Sequence, residues 1–352
     1  MFLRENTRKV NIANLTVGGN SKVYVQSMTN TKTQDVKATV NQIKQLENVG
    51  CEIVRVAVPD MEAADAVREI KKQIRIPLVA DIHFDYRLAI ECIKNGVDKI
   101  RLNPGNIGGE DRVEAVAEIA KERKVPIRIG VNGGSLEKDI LAKYGSPTAE
   151  AIVLSALRHV KLLEKYKFYD ILISLKSSDV TRTIEAYKLF AQKSDIPLHL
   201  GITEAGGGFE GIVKSSAGIG CMLGMGLGNT LRVSLTGNPV KEIETGKEIL
   251  KAFNLMKKGV EIISCPTCGR TNVDLENTVE LVKNKFKGYE KNITVAVMGC
   301  AVNGPGEAKE ADIGVACGKG EGLIFKKGSI VCKVKECEIA ETLFKVAKEI
   351  SF

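Results

Sequence analysis

The feature that most constrains this chain is an alternation between short β-rich runs and amphipathic helical stretches, repeated eight times between residues 23 and 253. The strand-like runs are VYVQSM, CEIVRVAV, IPLVADI, DKIRLN, PIRIGV, YDILISL, IPLHLGI and TLRVSL. Helical patterns follow them over 35–48, 61–72, 86–95, 112–121, 148–166, 180–192, 211–223 and 240–253. Gly50, Gly96 and the X-Pro pairs at 76–77, 125–126 and 196–197 stop helices just ahead of strands. Eight such units predict an α/β fold of (β/α)₈ barrel type. A doubly wound open sheet would need fewer units and a glycine-rich fingerprint after its first strand, and none is present.

Ahead of the barrel, residues 9–28 read as a hairpin, KVNIANLTV turning at Gly18-Gly19-Asn20 into KVYVQSM. After Phe253 the pattern breaks at Lys257-Lys258-Gly259. The strand VEII, the segment CPTCGR, a helix over 275–285, further strands and a last helix over 339–350 then predict a small α+β domain. The expected domains are a barrel over 1–256, with the hairpin and first strand in 1–28, and a second domain over 261–352.

Composition narrows the class of ligand. Lys+Arg 51 against Asp+Glu 43 leaves a net +8, spread along the 352 residues rather than massed in a tail. Aromatics make up 5% and Trp is absent, so no stacking platform for nucleic acid is expected. The start MFLRENTRKV has no apolar core of a signal peptide, and the longest uncharged stretch, 215–231, is glycine-rich and too short to span a bilayer. A cytoplasmic protein acting on a small acidic molecule is the expectation. Nine cysteines is an odd number and argues against a complete disulfide framework. Cys51, Cys92 and Cys221 lie in apolar patterns and are expected in the core. The other six, Cys265, Cys268, Cys300, Cys317, Cys332 and Cys337, crowd the last quarter of the chain.

Four strand runs carry an arginine inside an apolar stretch: Arg55, Arg101, Arg128 and Arg232, and Lys176 ends a fifth. Taken singly, each reads as a cation paired with a nearby carboxylate, because an unpaired buried charge is very costly. Taken together, they outnumber the carboxylates expected at the same strand ends, Asp81 and Glu204. The surplus falls at the C-terminal mouth, where barrel enzymes place their sites. A polyanion follows, and a diphosphate suits it because guanidinium forks match phosphate oxygens bidentately. Around this ring stand His83, Asn103, Asn132, Thr203 and Ser234. His159 and His199 read as structural, and the stretches 105–109 and 206–208 offer backbone N–H groups.

Cys265-x₂-Cys268, with Cys300 closing the run ITVAVMGC, admits two readings. One is a structural zinc site completed by Cys332 and Cys337, which would leave a phosphate-binding barrel protein with a zinc-stabilised tail. The other is a [4Fe-4S] cluster whose fourth ligand comes from the turn after Cys300, where Glu307 is the nearest strong donor.

The segments VQSMTNT, CEIVRVAVPD, LVADIHFD, IRLNPGNIG, IRIGVNGGSLE, ISLKSSD, LHLGITEAG, ISCPTCGR and MGCAVNGPGEA occur in this order along nearly the whole chain. In them the chain closely resembles the 4-hydroxy-3-methylbut-2-en-1-yl diphosphate synthase family (the IspG or GcpE type), in its short two-domain bacterial form. The resemblance implies a [4Fe-4S] cluster held by Cys265, Cys268, Cys300 and Glu307. It also implies the substrate 2-C-methyl-D-erythritol 2,4-cyclodiphosphate, opened reductively with loss of water in the non-mevalonate isoprenoid pathway. Arg55, His83, Arg101, Arg128, Asn132, Lys176, Arg232 and Ser234 match the family's substrate contacts. Glu204 matches its proton donor, and Asn303 lies beside the cluster. An iron held by a carboxylate exchanges more readily than one held by thiolate, which would give Glu307 a gating role. Flavodoxin or ferredoxin would supply the electrons.

A last expectation concerns assembly. In a (β/α)₈ barrel the eighth helix returns the chain to the face opposite the mouth, and residues 254–260 are too few to carry the next domain around. A homodimer with active sites shared between chains follows, as the resemblance also implies.

Overall fold

The computed structural model describes residues 4–257, 259–300 and 310–350. They fall into two compact units that divide between Met256 and Lys257.

The first unit opens with a small hairpin, β1 (Val10–Ile12) and β2 (Leu15–Val17). Eight strands follow: β3 (Tyr24–Met28), β4 (Ile53–Ala57), β5 (Leu78–Asp81), β6 (Lys99–Leu102), β7 (Ile127–Asn132), β8 (Ile171–Lys176), β9 (His199–Leu200) and β10 (Thr230–Leu231). They lie parallel in the order β8-β7-β6-β5-β4-β3-β10-β9, and a parallel bridge between Ile173 and Leu198 joins the two ends. The sheet is thus a nearly closed barrel of TIM type, as the eightfold alternation predicts.

Helices α1 (Val36–Asn48), α2 (Met61–Lys71), α3 (Tyr86–Lys94) and α4 (Glu110–Glu122) alternate with the strands. So do α6 (Ala149–Lys165), α7 (Val180–Ala191), α8 (Gly208–Gly224) and α9 (Val240–Ala252). Their starts are chemically marked: the side chains of Asp35, Asp60, Asp85, Thr148 and Asp179 accept backbone N–H bonds at the first turns. One apolar cluster runs between strands and helices, including Val54, Val56, Ile100, Ile127, Ile129 and Ile173.

Two expectations need correction, and one element was not foreseen. The hairpin turns at Ala13-Asn14, with Ala13 at φ 50°, whereas Gly18-Gly19 leads out of the hairpin toward β3. Its apolar residues Val10, Ile12 and Val17 pack on Tyr24, Ile53, Val79 and Leu172 and so plug the barrel from below. Cys221 is exposed, not core. The buried stripe of α8 runs through Gly211, Ser215, Gly218, Ile219 and Met222, and Cys221 falls one turn beyond exposed Ala217. The short helix α5 (Lys138–Tyr144) has no counterpart in the sequence reading, because at this length its periodicity is too brief to register.

The second unit is a five-stranded sheet in the order β11 (Val260–Ser264), β12 (Ile293–Met298), β13 (Ile313–Gly318), β14 (Glu321–Lys326) and β15 (Ser329–Lys335). The first three strands are parallel and the last two antiparallel. Helices Leu275–Lys285 and Ile339–Lys348 bury one face through Leu275, Val282, Val295, Val315, Ile324 and Leu343. Among the described residues no helix is long and apolar enough to cross a membrane.

Candidate active site and cysteine edge

Two-residue alternation sorts each barrel strand. Ile100, Leu102, Ile127, Ile129, Ile173 and Leu175 turn outward to the helices. Their neighbours Lys99, Arg101, Arg128, Ser174 and Lys176 therefore turn to the barrel axis, buried. Arg55 from β4 is buried beside them, and Arg232, just past β10, is half-buried. Register sets Asp81 beside Arg101, Arg101 beside Arg128, and Asn132 beside Lys176.

Asp81 is the hub. Its carboxylate takes Arg101 Nη1 at 3.0 Å and Arg55 Nε at 3.5 Å, while His83 Nε2 at the rim lies 3.3 Å from Arg101 Nη1. Burial alone would raise the Asp81 carboxyl, but Arg55, Arg101 and Arg128 overcome it and hold the group well below the usual carboxylate range. Arg55 also donates to Met28 Sδ at 3.1 and 3.2 Å, and burial brings its guanidinium down to about 10.

Arg232 is paired by a residue the sequence reading missed. Glu242 on α9 takes Arg232 Nη2 at 3.0 Å and Nε at 3.2 Å, and also accepts Ser27 Oγ at 2.8 Å. The signal was present: Glu242 lies on the buried α9 stripe with Gly246, Ile249 and Leu250, an unusual place for a carboxylate. Lys99 was missed too, although it lies two residues before Arg101 on the same strand face. Glu204, by contrast, does not enter the ring. Its side chain is exposed and its backbone is left-handed at φ 52°, with its carbonyl accepting Lys214 Nζ at 3.3 Å.

Six cations thus face two carboxylates, Asp81 and Glu242, at and below the mouth. Arg128 carries the imbalance most plainly. Its Nη1 donates to Ser174 Oγ, whereas Nε and Nη2 are buried without a partner. Burial, then Arg55 and Arg101, disfavours its charge. A guanidinium does not deprotonate in a protein, so the repulsion persists until an anion relieves it. Burial, then Arg128 and Arg55, likewise holds the Lys176 ammonium well below its ordinary value.

Of the remaining residues, Asn132, Thr203 and Ser234 are half-buried at their strand ends. Asn103 is buried and its Oδ1 accepts Gly130 N–H at 2.9 Å, so this amide braces β6 against β7. His159 Nδ1 accepts Gly105 N–H at 3.2 Å, a structural bond beneath the loop after β6. Gly130 makes room for the hub: a Cβ there would lie 2.5 Å from Arg101 Nε. Gly130→Ala is expected to push Arg101 off Asp81 and cost about 1–3 kcal/mol. Denaturant unfolding of the two proteins checks it.

In the second unit the loops after β11 and β12 meet at one sheet edge. Gly299 N–H donates to Cys265 Sγ at 3.2 Å, and Asn272 N–H donates to the Gly299 carbonyl at 3.1 Å. Cys268 N–H donates to Thr271 Oγ1 at 3.2 Å and closes the CPTCGR turn. Cys265, Cys268 and Cys300 therefore share this edge. A backbone N–H aimed at sulfur suits a metal-bound thiolate, so the donor set fits an iron–sulfur group. Among the described residues no three such donors already converge on one point. Asn303 and Glu307 lie outside the described residues.

The zinc reading fails on register. Ser264, Val297, Val315, Ile324 and Cys332 form one row across the sheet. Cys332 thus stands four strand spacings, about 19 Å, from the residue before Cys265. Zinc–sulfur bonds of about 2.3 Å cannot bridge that span. Cys317 is buried in the core, and burial pushes its thiol up to about 12. Cys51 and Cys92 are core thiols likewise pushed to about 12 by burial.

Comparison with known proteins agrees with this architecture. The model of the GcpE TIM-barrel domain matches residues 7–247, and that of the GcpE protein C-terminal domain matches residues 261–349. A Clostridium perfringens protein named 4-hydroxy-3-methylbut-2-en-1-yl diphosphate synthase (flavodoxin) is 59% identical over 347 residues, covering 99% of each chain. One of the same name from Caldanaerobacter subterraneus is 61% identical over 343 residues, covering 97% of each. Among solved structures, a Stenotrophomonas maltophilia dihydropteroate synthase superposes with a TM-score of 0.53 at 13% identity. It covers 70% of this chain and 97% of its own, and shares the barrel fold alone. With both domain models matched and relatives this similar along their full length, the chain belongs to the GcpE family.

Proposed function

We propose that this chain reduces 2-C-methyl-D-erythritol 2,4-cyclodiphosphate to 4-hydroxy-3-methylbut-2-enyl diphosphate, the reaction for which its relatives are named. The observation that carries the reading is the surplus of buried cations at the barrel mouth, above all the two unpartnered Arg128 nitrogens. Arg55, Arg101, Arg128, Lys176 and Arg232 would hold the diphosphate oxygens. His83, Asn132 and Ser234 would orient the carbon skeleton, with Asn103 and Thr203 bracing the strand ends.

Counted on the protonated acids, the reaction takes up two electrons and two protons and releases one water. Glu204 is the proton donor in this reading. Asp81, ionised throughout, keeps Arg55 and Arg101 aimed and takes no proton. A [4Fe-4S] cluster on Cys265, Cys268, Cys300 and Glu307, with Asn303 beside it, would supply electrons one at a time. Flavodoxin is the donor we favour over ferredoxin, from the relatives' names. The setting is cytoplasmic, where thiols stay reduced.

The active unit in this reading is a homodimer in which one chain's cluster domain serves the other chain's barrel. Co-expressing Arg128→Ala chains with Cys300→Ser chains tests it. The mixed dimer is expected to regain one working site, while either parent is inactive. Mixed dimers as inactive as the parents would contradict sharing. The gating role of Glu307 has its own test: full turnover in Glu307→Cys would refute it.

A further inference from the structure

Below the mouth, the barrel is polar where such interiors are ordinarily filled by layers of branched apolar side chains. Gln26, Lys99, Arg128, Ser174, His199 and Thr230 are each 0 or 1% exposed. Their hydrogen bonding is incomplete. Gln26 Nε2, His199 Nε2, and Arg128 Nε and Nη2 have no partner, and Lys99 Nζ has one long contact, 3.3 Å, to Gln26 Oε1. His199 Nδ1 is taken by Thr230 Oγ1 at 2.8 Å.

Nearly all the charge around Lys99 is positive. Arg55 from β4, Arg128 from β7, Lys176 from β8 and Arg232 past β10 look into the same interior, with Arg101 on its own strand. Burial, then Arg128 and Lys176, holds the His199 imidazole on β9 well below its ordinary value and so uncharged. Of the two carboxylates, Asp81 on β5 is committed to Arg55 and Arg101, and Glu242 on α9 to Arg232. The remaining titratable groups are phenols: Tyr24 on β3, and Tyr187 on α7, which donates to the His199 carbonyl at 2.5 Å. Burial, then Arg128 and Arg55, keeps the Lys99 ammonium well below its ordinary value. The guanidinium groups cannot yield their protons, so in the empty barrel the two lysines are the groups that give way, and Lys99, fully buried, is the deeper of them.

We propose that this layer is the adjustable part of the anion site: when a cyclic diphosphate settles on the guanidinium ring, Lys99 Nζ takes a proton from solvent, and releases it when the ligand leaves. An N–H bond forms from the amine lone pair and no electron is transferred. The inference rests on the proposed substrate class. It gives Lys99 the role of a charge-compensating residue that need not touch the ligand. Because binding takes up a proton, affinity falls as pH rises through the window between the empty barrel's lowered value and the ordinary one. For one proton the fall reaches about tenfold per pH unit.

The test is calorimetric titration of the full chain with the cyclic diphosphate, without reductant, near about pH 8.5. Buffers of different ionisation heat convert the heats into protons taken up. The cyclic diphosphate's two acidic protons are lost far below this pH and its alcohol hydroxyls ionise far above it, so the ligand exchanges none. Wild type is expected to take up close to one proton more than Lys99→Met, with Lys99→Gln behaving like Lys99→Met. Lys176 titrates in the same cluster, so the comparison is repeated in a Lys176→Met background, where that residue exchanges no proton and the difference belongs to Lys99. Equal counts in wild type and both variants would overturn the inference while leaving the substrate reading intact. Absence of binding to wild type would overturn both.

Discussion

Asp81→Ala is expected to cost the empty protein about 3–5 kcal/mol of folding free energy, the largest loss of any single substitution at the barrel mouth. Two guanidinium groups, Arg55 and Arg101, depend on that carboxylate, and Glu242 is engaged elsewhere with Arg232. Denaturant unfolding reads the loss directly. Asp81→Asn, which keeps the volume, should be destabilised for the same reason and should recover more than wild type when pyrophosphate is added. Its pH dependence follows in sign from the lowered carboxyl. The folded value lies below the unfolded one, so the Asp81 contribution is complete above about pH 4 and is lost only as pH falls toward the folded value. The gap between wild type and Asp81→Asn should therefore be flat across neutral pH and close only in acid.

Arg128→Met should behave in the opposite way. Removing an unpaired cation from a like-charged cluster relieves repulsion, and methionine fills most of the volume. Stability is expected to be unchanged or higher. Ligand affinity is expected to fall more than roughly tenfold, since a charge-assisted phosphate contact is worth about 1.5–3 kcal/mol. A melting curve and a binding isotherm on one preparation decide it. Lower stability with unchanged affinity would make Arg128 a structural residue and remove the main support for an anion site.

The contrast between these two residues shows what the sequence could and could not reveal. Arg128 was legible because an arginine between Ile127 and Ile129 breaks an apolar strand. The barrel was legible because periods of two and of 3.6 alternate cleanly, with aspartate caps and X-Pro breaks at the joins. Less was readable where partners come from distant elements. Glu242 neutralises Arg232 from a helix, and helical spacing marks it only once the buried stripe of α9 is known. Lys99 lay in plain view two residues from Arg101, yet nothing local separates a strand-start lysine in solvent from one inside a barrel. The hairpin was misplaced because Gly18-Gly19 is the stronger local turn signal, while the tighter turn at Ala13-Asn14 is fixed by packing against the barrel floor. The cysteines could not be sorted by spacing alone. Cys265 and Cys332 look like two halves of one site along the chain, and only the order of the five-stranded sheet separates them.

The measurement that bears most directly on the whole account is a single-turnover experiment under anaerobic conditions. The protein, purified and reconstituted with iron and sulfide, should show broad visible absorption that bleaches when the cluster is reduced. Addition of 2-C-methyl-D-erythritol 2,4-cyclodiphosphate should restore the absorption and yield 4-hydroxy-3-methylbut-2-enyl diphosphate. Neither change is expected in Cys300→Ser, and in Arg128→Met both should require a substrate concentration more than roughly tenfold higher than in wild type. A colourless protein, or a reduced one whose spectrum and ligand are both unchanged after mixing, would contradict the account.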